Sequence, residues 1–174
     1  QRPALPARPA RPLRYAWSVV SEALVREFTA LAHSPDPDLA IAALMMARVA
    51  YPNLDTAAYV ERLDALGRDA LLHVSGATTT TLEIPPHVDP ALFTRITALN
   101  EFLFEQERFV GNDAQYDDPR NSFLNEVLDR RTGIPITLAL VYMEVAKRVG
   151  IEVEGVNFPG HFLVRVDEPG QAPL

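Results

Sequence analysis

Residues 121–166 read NSFLNEVLDRRTGIPITLALVYMEVAKRVGIEVEGVNFPGHFLVRV, and the order of elements in this stretch decides the fold. Leu124, Val127 and Leu128 recur at helical spacing. Thr132 and Gly133 close that helix, with Gly133 suited to a left-handed cap position. Asn121 or Ser122 is expected to cap its start. Pro135 then fits the first turn of a second helix, where its fixed φ is helical and its missing N–H is not needed. From Ile136 to Ala146 this helix is apolar nearly all round, so residues 134–149 are expected to form the most buried helix of the chain. Gly150 ends it. Ile151 and Val153 alternate with glutamates, and Phe162, Val164 and Val166 alternate with His161, Leu163 and Arg165, the period of half-buried strands. His161 begins the last strand, on the face opposite Phe162.

Upstream of this stretch the chain reads as helices. Val20, Leu24, Phe28 and Leu31 place one from Tyr15 to about His33. Asp36 as cap and Pro37 in the first turn begin a second, which is almost wholly apolar from Leu39 to Val49. Leu54 as a staple residue and Asp55 as cap open a third, with Tyr59, Leu63 and Leu66 facing inward and Gly67 weakening its middle. The run Thr78 to Thr81 and then Ile84-Pro85-Pro86 interrupts the pattern. Asp89-Pro90 opens a fourth helix carried by Phe93, Ile96, Leu99 and Leu103. Residues 111–120, GNDAQYDDPR, form a polar, turn-rich connector. The division that follows is an extended or disordered arm over 1–14, a helical region over 15–110 and a core over 111–174, the last two packed as one unit.

Composition narrows the function. The net charge of −7 speaks against nucleic-acid binding, which needs clustered Lys and Arg. No apolar run reaches the roughly 18 residues of a membrane span. The chain has no Cys, which excludes disulfides, thiolate catalysis and Cys-ligated zinc within it. His33, His73 and His87 are widely spaced and lack helix-spaced partners, so neither a metal nor a cofactor is expected. There is no secretory h-region, and a cytoplasmic location is expected. The first 14 residues hold four Arg and four Pro and no acid. They read as a solvated arm that can meet an acidic partner or dock on an acidic face. The last residues, 171–174, look like a cut end.

The segments YDDPRNSFLNEVLDRRTGIPITLALVYMEVAKRVGI and GVNFPGHFLVRV closely resemble the SirB-type transglutaminase-like proteins of bacteria, and ALMMARVAYPNLDTAAYVERLD resembles the helical part that precedes their core. The resemblance covers roughly residues 28–166. It implies an α+β, mostly helical fold: a helical N-terminal region packed on a truncated transglutaminase- or papain-like core with a small antiparallel sheet. Longer relatives carry tetratricopeptide-type repeats after the core, and a related module in a eukaryotic F-box protein implies protein interaction. In the parent pattern a cysteine opens the central helix and a histidine follows on a strand. The resemblance puts Pro135 at the cysteine position and His161 at the histidine position; the parent acid follows on the next strand, and Asp167, close to His161 in sequence, is not assigned to it.

Each candidate residue has a chemical and a structural reading. His161 can be a base, a ligand contact or a structural histidine. Thr137, in the first turn of the central helix, can replace the cysteine as nucleophile, or its hydroxyl can satisfy local backbone groups, which is the expected outcome. Asn121 and Ser122 cap a helix, or line a cleft with Tyr116, Thr137 and His161. Arg130 and Arg131 hold a carboxylate, or sit as a salt-bridged helix end. Glu144 and Glu154 belong to different elements and make no acid pair. The reading favoured by these residues is a catalytically inactive domain that binds an unknown protein or peptide, with no catalytic residue beyond the vestigial His161, Pro135 and Thr137. One alternative is a hydrolase or peptidase-like enzyme with a non-cysteine nucleophile and His161 as base. Another is a regulatory partner of a signalling protein.

Overall fold

The computed structural model describes residues 20–78, 83–84, 89–159 and 161–166. The expected arm over 1–14, the start of the first helix at Tyr15, Thr79 to Thr81, Pro85, Pro86, His87, Asp167 and the end of the chain lie outside the described residues. The fold is α+β and mostly helical. Among the described residues six α-helices run in order: α1 Glu22–Ala32, α2 Leu39–Ala47, α3 Thr56–Ser75, α4 Pro90–Asn100, α5 Leu124–Arg130 and α6 Pro135–Arg148. Strands β1 (Val110–Gly111) and β2 (Thr132–Gly133) form a short parallel pair. Strands β3 (Val153–Phe158) and β4 (His161–Val166) form an antiparallel hairpin.

Local chemistry explains most boundaries. The Asp55 carboxylate accepts the Ala58 N–H at the start of α3, and Asp89 accepts from Ala91 ahead of Pro90 at the start of α4. Ser21 caps α1 by accepting the Leu24 N–H. One start differs from expectation. Asp38, not Asp36, caps α2 by accepting from Ile41 at 2.8 Å. The fourth helix does not stop at Asn100 but widens into a π-helical turn, Glu101–Gln106, which brings Phe102 and Leu103 into the core.

One apolar cluster joins α2, α3, α4, α5 and α6, with Leu44, Leu63, Leu99, Leu103, Leu128 and Val145 among its members. Of the described helices, α6 contributes the largest set of buried residues, including Val141 and Val145. It is not buried all round: Ile136 is 51% exposed, and Leu138 and Leu140 pack only partly against the core. Helix α3 lies on one side of α6 and the hairpin on another, and in the first turn of α6 Pro135 and Ile136 are exposed while Thr137 is buried.

Gly67 reverses its expected role. A Cβ there would stand 2.6 Å from both Cβ and Cδ of Arg148. The glycine is the notch through which Arg148 of α6 crosses α3. From that position Arg148 bonds Asp64 at 2.9 Å and Glu144 at 2.7 Å.

Candidate functional site

The polar residues singled out in the sequence converge on the connector between β1 and α5. Asp118 starts a short 3-10 turn, Pro119–Ser122, and holds Arg120 with paired bonds, the shortest 2.6 Å. The Arg120 side chain holds the Asp118 carboxyl below the usual carboxylate range. This clamp fixes the turn that delivers Asn121 into the interior, where it is 0% exposed.

Asn121 is a hub. Its side-chain oxygen accepts from Asn112 at 3.0 Å and from Arg130 at 2.8 Å. Its side-chain nitrogen donates to the carbonyls of Gln115 at 2.8 Å and Tyr116 at 3.1 Å. Its own carbonyl accepts the Thr137 hydroxyl at 2.7 Å, and that hydroxyl accepts the Ile134 N–H at 3.2 Å. Thr137 thus satisfies the N-cap donor of α6 and ties the connector to the helix in a single group. Gly133 completes the fit, since a Cβ there would lie 2.7 Å from the Thr137 oxygen and 3.0 Å from Val127.

Several expectations change here. Asn121 and Ser122 do not cap α5; Phe123 holds that position without a side-chain bond. Asn121 and Thr137 are buried and hold the connector from inside, whereas Tyr116 and Ser122 are exposed beside them. The left-handed residue after α5 is Arg131, with φ 58°, and not Gly133. Arg131 pairs with Glu107 and lies 4.7 Å over the Phe109 ring, contacts that hold a non-glycine residue in that conformation. Burial lowers the Arg131 pKa, partly offset by Glu107. Arg130 turns inward to Asn121 instead. Its Nη1 and the Oδ1 of Asn125, both on α5, are buried with no hydrogen-bond partner among the described residues.

His161 lies on the hairpin and makes none of these bonds. A Cβ on Gly155 would meet the Phe162 ring at 2.7 Å and the Met143 sulfur of α6 at 3.4 Å, so Gly155 marks the hairpin face turned to α6. Val153 and Val166, on the same face by register, pack on the core. Strand alternation therefore puts His161, opposite Phe158, on the outward face, and its side chain is exposed. Pro135, at the N1 position of α6, is also exposed. Glu144 bonds Arg148 and Glu154 bonds Arg165, in separate elements.

A second polar set joins α3 and the turn before it to α5, and the sequence did not single it out. Tyr59 donates to Asp129 at 2.8 Å, Tyr51 donates to Glu126 at 2.9 Å, and Arg62 pairs with Asp129. Burial, then the bond to Asp129, pushes the Tyr59 hydroxyl up to about 12. These contacts span some seventy residues of chain, beyond the reach of any local spacing rule. Among the described residues no group of three or more His, Cys, Asp or Glu is placed to hold a metal ion. No described helix is long and apolar enough to cross a membrane.

A family model described as the transglutaminase-like superfamily matches residues 57–173, from α3 through β4 and beyond. A UPF0162 protein of Xylella fastidiosa is 37% identical over 150 residues, a match covering 85% of this chain and 49% of that protein. A UPF0162 protein from another strain of that organism is 40% identical over 124 residues, covering 71% of this chain and 40% of the relative. F-box only protein 21 of Mus musculus is 46% identical over 70 residues, 40% of this chain and 11% of that protein. The chain thus spans half or less of the length of these curated relatives. No solved structure matches it.

Proposed function

The chain belongs to the transglutaminase-like superfamily, and from that premise we propose that it is a catalytically silent member, a binding or scaffold module for a protein or peptide partner. The first turn of α6 carries this reading. The parent chemistry needs a thiolate at a helix N-terminus, where free N–H groups stabilise its charge. Here that turn offers Pro135, which has neither nucleophile nor N–H. Its one hydroxyl, on Thr137, is buried and donates to the Asn121 carbonyl at 2.7 Å. The 174 residues contain no Cys to take the role from elsewhere.

The outward position of His161 supports the same reading, because a general base must come within hydrogen-bond reach of the proton it takes. Within the superfamily we assign the chain to the SirB-type branch, on the phrase NSFLNEVLDRRTGIPITL, and to the cytoplasm. The division into an arm over 1–14, a helical region over 15–110 and a core over 111–174 belongs to this proposal. The match to part of F-box only protein 21 supports an interaction role.

Amide and ester hydrolysis and amine incorporation, assayed on the wild type, Thr137→Ala and His161→Ala, test the reading. Turnover at background is the expected result. Turnover well above background that both substitutions abolish would replace it with a hydrolase using a non-cysteine nucleophile and His161 as base.

A further inference from the structure

Helix α2 reads LAIAALMMA and has no charged or hydrogen-bonding side chain. A helix apolar on every side belongs in an interior. Yet Met46 is 58% exposed, Leu39 45% and Ile41 38%. Of these, Met46 forms one wall of an apolar groove of about 200 Å³ between α1 and α2, lined also by Val20, Val25, Phe28, Met45 and Val49. The groove is smaller than the about 300–1,000 Å³ of typical small-molecule pockets. It suits one large side chain, and methionines adapt readily to such an anchor.

We propose that the occupant is a segment of the same chain, residues 13–19, LRYAWSV, with Trp17 as the anchor. Three observations select it over other partners. Val20 itself lines the groove, and the Cα of Trp17, three residues earlier, can lie no farther from it than about 11 Å at 3.8 Å per residue. So short a tether gives a high effective concentration. Ser21 caps α1 with extended backbone, φ −62° and ψ 135°, so the chain leaves the helix axis at the mouth of the groove. Charge agrees as well: residues 1–14 carry four Arg and no acid on a chain whose net charge is −7, and Glu22, 92% exposed at its side chain, opens α1.

Trp17 is the only tryptophan in the chain, so its fluorescence reports the contact directly. The full 174-residue chain is compared with a synthetic peptide of residues 1–19 and with the full-length variants Val25→Asp and Met46→Glu. Both substitutions alter exposed positions, and circular dichroism checks that the variants fold. The wild type is expected to emit at shorter wavelength than the peptide and to resist acrylamide quenching severalfold better, with both groove variants returning it to peptide behaviour. Peptide-like emission and quenching in the wild type would overturn the proposal. So would protection that the groove variants leave unchanged, which would seat Trp17 elsewhere. Protection that disappears on dilution, together with a dimer in sedimentation, would make a second copy the occupant and overturn it too.

Discussion

The hydroxyl of Thr137 donates to the main-chain carbonyl of Asn121 at 2.7 Å, joining residues sixteen positions apart. One hydroxyl therefore serves three backbone groups, the carbonyls of Asn121 and Ile134 and the Ile134 N–H. Thr137→Val keeps the shape and removes these bonds. Leaving buried backbone groups unpaired costs about 1–3 kcal/mol, read as a lower urea midpoint. Thr137→Ser should recover most of the loss. A neutral valine variant would show that the connector is held by other contacts.

Gly67→Ala has an expected sign opposite to the usual one. In an ordinary helix interior the change stabilises by roughly 0.5–1 kcal/mol. Here the new methyl would meet the Arg148 side chain at 2.6 Å. Overpacking of this kind costs about 1–3 kcal/mol, and displaced Arg148 would also loosen its bonds to Asp64 and Glu144. A lower melting temperature than wild type is expected; a higher one would mean that Arg148 moves aside freely.

Pro135→Cys tests the inferred nucleophile position. Pro135 is exposed at N1 of α6, so a thiol there should react fast with iodoacetamide and titrate below the about 8.5 of free cysteine, as thiols at helix N-termini do. Because His161 lies on the outward hairpin face, adding His161→Ala should leave that titration nearly unchanged. A large rise in the thiol pKa on removing His161 would place the imidazole at the helix mouth after all.

Stability should fall in strong alkali. Burial pushes the hydroxyls of Tyr59 and Tyr142 up to about 12 from an ordinary 10. The folded state thus holds these protons more tightly than the unfolded chain. The resulting stabilisation is complete below about pH 10 and is lost as pH rises towards about 12. Denaturant midpoints measured across that window should decline, and less steeply in Tyr59→Phe. An unchanged slope in that variant would show that Tyr59 ionises as freely folded as unfolded.

The chain's own order of residues determined the caps at Asp55 and Asp89, the proline starts of α4 and α6, the end at Gly150, and the alternation of the hairpin that sets His161 opposite Phe162. All of these depend on groups within a few residues of one another, so local spacing carries them. The tertiary structure decided the rest. Asn121 looked like a cap and is a buried hub, because its partners come from the connector, α5 and α6. Gly67 looked like a weakness and is the notch for Arg148. The left-handed residue after α5 is Arg131 because Glu107 and Phe109 hold it there, and Gly133 is glycine because Thr137 and Val127 leave no space for a Cβ. Helix α6 has an apolar sequence on nearly every side, yet Pro135 and Ile136 in its first turn are exposed. Which side of an apolar helix is covered depends on how many neighbours reach it, and that number is fixed only when the whole chain has packed.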